Sequence, residues 1–469
     1  MIYIVGAGPG DIGLLTLRGR EVLRRAEAVI YDNLVGEGIL SMIPEGAEMI
    51  DAGKSAGNHK LTQSEITTMM IELAFSGKTV VRLKGGDPYM FGRGGEEVEA
   101  IKRSGLEFEV VPGITSALSV PAYAGIPATH REYSSGVNIL TAHDKRNLLP
   151  DFNAATSIFL MGAGNAEMLQ SKLLETMPPE TPCAIISNGT TSKQRVIRTE
   201  LSCLYPNNIT PPAVIVVGKV AGLNLSWREN LPLNGKRIII TRPEGRSEKL
   251  SLMLRDKGAE VIIMPTIRTR VIPDSIEGVN LSGYDWIGFT SVTGVEALFG
   301  LLSESGRDIR EIGNAKIAAI GSATCEALRF HGLSVEYVPE VFDGEHLAEG
   351  LSHKLGKNGK VLMFRAEKGT PEIDNIFMKY GIYPTNICIY RTDCVKLRHV
   401  PKEADIIIFT SSSTVRGFLA ADNTGLFRGA LAVCIGKQTA DEAVRAGFSR
   451  VRIAEQATIE AIVRACTLE

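Results

Sequence analysis

The sequence has almost no charge of one sign in excess: 51 Lys and Arg stand against 53 Asp and Glu, a formal balance of −2 at pH 7, with no block of like charge along the chain. Nucleic acid and anionic membrane surfaces are thereby disfavoured as partners. The chain also lacks any apolar run near the roughly 20 residues that a membrane-spanning helix needs. It opens on Met1-Ile2-Tyr3-Ile4-Val5-Gly6, which reads as a strand rather than a secretory leader, so a soluble cytoplasmic protein is expected. Cysteine is sparse: Cys183, Cys203, Cys325, Cys388, Cys394, Cys434 and Cys466 show no CxxC spacing. Neither a thiolate metal site nor a disulfide framework fits that pattern, and no metal is expected.

What the chain does have is length and apolar content. Its 469 residues, 44% of them apolar, exceed what one core accommodates, and two to four compact units are expected. Short apolar and β-branched runs at 78–83, 108–111, 157–161 and 213–217 alternate with helical patterns. This alternation predicts an α/β architecture with largely parallel, buried sheets. A polar stretch with Trp and Pro over 226–235 precedes a fresh strand at 236–241 and marks the main boundary: a first half at 1–228, a linker at 229–235 and a second half at 236–469. The second half repeats itself. Phe289-Thr290-Ser291 recurs as Phe409-Thr410-Ser411, and Ile320-Gly321-Ser322-Ala323-Thr324 as Ile435-Gly436-Lys437-Gln438-Thr439, predicting two similar α/β lobes with a cleft between them.

The first strand runs into Gly6-Ala7-Gly8-Pro9-Gly10-Asp11, and a second strand ends at Asp32, the arrangement of a dinucleotide site. Two details oppose a nicotinamide oxidoreductase: Asp11 replaces the third fingerprint glycine, and Pro9 removes a backbone N–H from the loop. A second cluster, Arg82-Leu83-Lys84-Gly85-Gly86-Asp87-Pro88 leading into Phe91-Gly92-Arg93-Gly94-Gly95-Glu96-Glu97, holds more glycine and charge than packing needs. With Val111-Pro112-Gly113-Ile114-Thr115-Ser116 and the 123–131 segment ending in Thr129-His130-Arg131, these motifs closely resemble the uroporphyrinogen-III C-methyltransferases over residues 1 to about 225.

That resemblance implies a tetrapyrrole-methylase fold of two α/β subdomains, about 1–115 and 116–228, holding S-adenosyl-L-methionine between them and releasing S-adenosyl-L-homocysteine. It places Pro9, Gly85, Gly86, Asp87, Met90, Thr115, Ser116, Met161, Gly189 and Ala213 around the cofactor, with Asp32 as general base and Lys54 as general acid. Without it, Met161 would read as a core methionine, Asp32 as a loop-capping carboxylate and Lys54 as a solvated lysine. The substrate carries eight carboxylates, so Arg82, Lys84, Arg93, His130 and Arg131 are candidate substrate contacts; the alternative is ion pairing with Asp87, Glu96 or Glu97. Homodimerisation through this half is also implied.

The second half has no Ser/His/Asp order, metal spacing or phosphate loop. It offers hydroxyl-rich turns at strand ends, which can cap helices or bind an anion. With Thr241-Arg242-Pro243 and Cys388-Ile389-Tyr390-Arg391-Thr392, their disposition resembles uroporphyrinogen-III synthases over about 235–465. The resemblance implies a two-lobed α/β fold, with lobe one at 236–268 plus 396–469 and lobe two at 271–390, and crossings near 268–271 and 391–396. The implied reaction cyclises hydroxymethylbilane with loss of water and inversion of the terminal pyrrole, with Tyr390 assisting the departing hydroxyl and Ser291, Thr324, Ser412 and Thr439 binding carboxylates. A non-catalytic bilobed binding domain is the alternative for this half. The joint expectation is a bifunctional enzyme that makes uroporphyrinogen III and methylates it twice to precorrin-2, towards sirohaem or cobalamin.

Overall fold

The computed structural model describes residues 1–53, 61–142, 155–205, 207, 209–243, 245–356, 359–369, 371–397, 400–421, 425 and 427–468. Ile2–Gly6 (β1), Ala28–Tyr31 (β2), Glu48–Asp51 (β3), Val80–Lys84 (β4) and Phe108–Val111 (β5) pair in parallel, in the order β3-β2-β4-β1-β5. Ile2, Ile4, Val5, Val80, Val81 and Leu83 are wholly buried. A strand covered on both faces needs apolar residues at successive positions, which is why β1 reads as a run rather than an alternation. From β1 the chain crosses towards β2 on one side, and from β4 towards β5 on the other, so a crevice opens at the carboxyl ends of these neighbouring strands. Both glycine loops leave from that crevice.

The second sheet comprises Val137–Thr141 (β6), Thr156–Leu160 (β7), Pro182–Ser187 (β8), Arg195–Glu200 (β9) and Ala213–Gly218 (β10), in the order β6-β7-β10-β8-β9. It departs from the parallel pattern expected: only β6 and β7 run parallel, and the remaining pairings are antiparallel. The link from β8 to β9 is short, at 188–194, which an antiparallel pair permits and a parallel crossover does not.

The second half starts with Arg237–Ile240 (β11) and Glu260–Ile263 (β12). It then builds a separate sheet from Ile267–Val271 (β13), Trp286–Phe289 (β14), Lys316–Ala319 (β15), Val361–Ala366 (β16) and Thr385–Cys394 (β17), and returns with Ile406–Phe409 (β18), Leu431–Cys434 (β19) and Arg450–Ile453 (β20). The lobe-one order, β12-β11-β18-β19-β20, is all parallel and doubly wound, with its crevice between β11 and β18. Lobe two is ordered β13-β17-β16-β14-β15, and its crevice falls between β14 and β16. β13 and β17 pair antiparallel from Ile267↔Cys394 to Val271↔Tyr390, so the two crossings between lobes lie side by side as one ribbon. The repeated motifs take equivalent places: Phe289 and Phe409 close β14 and β18 ahead of helices Val292–Glu304 and Ser412–Ala421, and Gly321 and Gly436 cap helices Ser322–Phe330 and Lys437–Arg445.

The stretch at 229–235 is packed rather than a free tether. Leu233 is 1% exposed in a core with Ile238 and Ile240, and the buried Arg228 donates to the carbonyls of Thr190 and Gly258, both at 3.2 Å. Around it, Arg237 pairs with Glu37 at 3.1 Å, Arg255 Nε lies 3.5 Å from Asp11 Oδ1, and Arg20 meets Glu248. Lobe one is thus docked on the first half. Among the described residues no helix is long and apolar enough to cross a membrane.

Candidate active sites

The two glycine loops of the first half are zipped together. Gly8 N donates to Gly86 O at 3.1 Å, Gly86 N to Gly8 O at 2.7 Å and Ala7 N to Lys84 O at 2.7 Å. Gly8 and Gly86 have φ of 74° and 69°, where a side chain is disfavoured, and a Cβ on Gly6 would sit 2.5 Å from Gly113 Cα and N and 2.7 Å from Gly86 O. Asp87 draws in the third motif, its Oδ2 accepting from Gly113 N at 3.0 Å and its Oδ1 from Tyr89 N at 2.9 Å. Thr115 caps helix Ser116–Tyr123, its Oγ1 accepting from Ala117 N at 3.3 Å.

Asp11, the residue that breaks the dinucleotide fingerprint, is committed elsewhere. Its Oδ1 accepts from Gly13 N at 2.8 Å and its Oδ2 from the Tyr123 hydroxyl at 3.1 Å. Burial, and next the Asp11 charge, push the Tyr123 phenol up to about 12, so it stays a donor. A carboxylate at the loop end and a proline inside the loop make it a poor cradle for pyrophosphate.

The opposite wall comes from the second sheet. The registers Leu160↔Val214 and Ser187↔Ala213 set Met161, Ala213 and the 188–190 turn at one sheet end. Met161 has φ of 56° and is 51% exposed, which excludes the core-methionine alternative. Asn188 and Thr190, with φ of 49° and 68°, flank Gly189, where a Cβ would run into Val120. Non-glycine residues held at positive φ in one neighbourhood carry strain that packing alone does not require. The turn also approaches the first loop: a Cβ on Gly10 would be 3.2 Å from Thr191 Cγ2. Pro9, Gly85 and Met90 lie half-buried along these loops.

Asp32 follows β2, its Oδ1 accepting from Leu34 N at 3.1 Å, and its Oδ2 lies 3.8 Å from Arg82 Nη2. Behind it is a buried cluster that the sequence reading did not assemble. The wholly buried Glu97 Oε1 accepts from Arg82 Nε at 3.2 Å, Lys84 Nζ at 3.1 Å and Gln63 Nε2 at 2.6 Å. Arg82 and Lys84 are only 3% and 4% exposed, so the ion-pair alternative describes them, and little of either cation is left for a substrate carboxylate. Burial, and next the Arg82 charge, lower the Lys84 amine against the pull of Glu97. Glu97→Leu should therefore cost about 3–5 kcal/mol, since it strands two buried cations; denaturant unfolding would measure it, and a loss under about 1 kcal/mol would mean the cluster is solvated. Lys54 lies outside the described residues.

The other candidate substrate contacts are accessible. Arg93 is exposed and forms a fork on Glu96, at 2.9 and 2.6 Å, which a substrate carboxylate can replace at little cost. His130 stacks on Tyr133 with centroids 4.7 Å apart, and Arg131 is exposed.

In the second half, Ser291 caps helix Val292–Glu304, accepting from Gly294 N at 3.0 Å, and its hydroxyl lies 2.9 Å from the Tyr390 hydroxyl. Tyr390 is 8% exposed, and burial raises its phenol above the usual tyrosine range. The pair sits at the carboxyl end of β14, beside the crossing ribbon, where the lobes face each other. Ser412 is half-buried and its Oγ donates to Gln438 O at 3.2 Å. Thr324 and Thr439 are 3% and 4% exposed, so each of these turns presents little of its threonine and can offer backbone N–H groups as well.

Comparison with known proteins accounts for both halves. The family model of Tetrapyrrole (Corrin/Porphyrin) Methylases matches residues 1–204, and that of Uroporphyrinogen-III synthase HemD matches 248–464. The Porphyrin biosynthesis protein HemD of Ruminiclostridium josui is 40% identical over 98% of this chain and 96% of its own length. The chain belongs to this family of methylase–synthase fusions. The Uroporphyrinogen-III C-methyltransferase of Bacillus subtilis is 36% identical over 71% of this chain and 72% of its own. A solved uroporphyrin-III C-methyltransferase of Thermus thermophilus, complexed with S-adenyl homocysteine, is 36% identical and covers 47% of this chain and 98% of its own, with a TM-score of 0.42. In the methylase half, Glu97 stood only as one of three possible ion-pair partners, because one glutamate beside another in a charged loop carries no sign of burial.

Proposed function

We propose that the chain converts hydroxymethylbilane to uroporphyrinogen III in its synthase half and methylates that product twice in its methylase half, giving precorrin-2. The observation that carries the reading is the meeting of the 6–10, 85–90, 111–116 and 188–190 loops around a crevice without a phosphate cradle. Such a crevice suits a neutral adenosine and a sulfonium, which call for backbone carbonyls, small residues and the soft side chain of Met161. S-adenosylmethionine, when bound, supplies an electrophilic methyl group to a pyrrole carbon. Asp32, oriented by Leu34 N and Arg82, is the residue we assign to accept the proton that then leaves the macrocycle, with Lys54 as the acid. Arg93, His130 and Arg131 would hold substrate carboxylates. Homodimerisation through the methylase half and cytoplasmic location belong to the same reading.

In the synthase half, a positioned bilane needs its hydroxyl protonated and its terminal pyrrole held for attack at the substituted carbon. Tyr390, kept neutral by burial and aimed by Ser291, is the proton donor we assign, and positioning supplies the rest. Calorimetric titration with S-adenosylhomocysteine should give one site per chain and none for NAD. Gly6→Ala, which forces the loops apart, should weaken that site at least tenfold, an expectation following from the close packing of the loop backbones. NAD binding in place of S-adenosylhomocysteine would refute the methylase reading.

A further inference from the structure

Two arginines of lobe one stand where the lobes meet. Arg242 and Arg246 follow β11, at the switch point beside β18, and Thr241 fixes the start of their loop by donating from its buried Oγ1 to Ile408 O at 2.7 Å. Arg246 reaches across the cleft: its Nη1 donates to Thr293 Oγ1 of lobe two at 2.7 Å, two positions beyond the Ser291 that bonds Tyr390. Both residues are half-buried. Burial disfavours the charge on Arg242, and neighbouring Arg246 adds to the effect. The Tyr390 phenol in turn feels the Arg246 charge.

Among the described residues neither arginine forms an ion pair, whereas Arg365, on β16 of lobe two, is held by Asp374 at 2.8 Å. Two partly desolvated cations kept near each other, with only a neutral hydroxyl between one of them and the far lobe, are unfavourable unless an anion joins them. Fork-shaped donors select planar, two-oxygen anions. We propose that Arg242 and Arg246 form a carboxylate-binding site of the synthase cleft, and that Arg246 exchanges Thr293 for a side-chain carboxylate of the linear tetrapyrrole, drawing lobe one onto a substrate held against Ser291 and Tyr390. This rests on the synthase reading above and names the part of the cleft that takes the substrate's charge.

The test uses the full chain with hydroxymethylbilane, following uroporphyrinogen III formation. Arg242→Gln and Arg246→Gln should each raise KM about 10- to 100-fold, the range for losing a charge-assisted bond, with kcat within about threefold of the parent. Arg246→Lys should fall between, because it keeps the charge and loses the fork. The parent KM should rise with salt, and that of the doubly neutralised chain should hardly change. Cooperative denaturant unfolding with the parent's midpoint reports whether each variant is folded, and Arg246→Lys alone decides if the Gln variants are not. An unchanged KM, or a fall confined to kcat, overturns the proposal while leaving the synthase reading standing. Absence of type III product from the parent chain would defeat the synthase reading itself.

Discussion

Tyr390→Phe should slow uroporphyrinogen III formation by about 100-fold, the lower end of what a positioned general acid contributes, while methyl transfer from added uroporphyrinogen III stays within about twofold of the parent. The substitution removes one oxygen from a ring that otherwise stays packed beside Gly294, whose Cβ position lies 3.8 Å from Tyr390 Cε1. It also leaves the Ser291 hydroxyl without its 2.9 Å partner, so a stability loss of about 1 kcal/mol is expected alongside. Because burial raises the phenol above its usual range, the acid form persists through neutral and mildly alkaline pH. Synthase activity should therefore show no alkaline decline attributable to this group below the ordinary tyrosine range. Equal loss of both activities would indicate a packing role for Tyr390 and remove it from the mechanism.

Asp32→Asn should have the complementary effect: methylation of uroporphyrinogen III falls by roughly 1000-fold, within the span removed with a general base, and synthase turnover is unchanged. The amide keeps an oxygen for Leu34 N, so the turn after β2 survives, and Arg82 keeps its 3.2 Å bond to Glu97. S-adenosylhomocysteine affinity should stay within about threefold of the parent, since the glycine loops are untouched. Chromatography of the methylated products measures the rate. A variant that methylates at full speed would show that the proton leaves by another route.

Much of the architecture was legible because it follows from local chemistry. Continuous apolar runs such as that at 213–217 announce strands covered on both faces, and the recurring Phe-Thr-Ser turn announces two similar lobes. The antiparallel pairings of the second methylase sheet were not legible, since strand direction depends on how the 188–194 link turns and not on strand composition. The same division runs through the sites. Glycines at the loop crossings could be read because only they permit such close backbone approach. Arg82 and Lys84 stayed open between substrate contact and ion pairing, because their positions along β4 say which residues share a face but not that Glu97, from helix Gly94–Arg103, is folded beneath them. Thr324 and Thr439 were read as cleft hydroxyls; both residues are nearly buried at the first turns of their helices, a degree of burial that residue type alone does not announce.

Incubation of the full chain with hydroxymethylbilane, with and without S-adenosylmethionine, followed by separation and mass analysis of the tetrapyrroles, tests the account most directly. It predicts type III uroporphyrinogen without the cofactor and a doubly methylated product with it. Type I uroporphyrinogen alone, the isomer that forms by unassisted closure, would contradict it and leave the second half a binding domain.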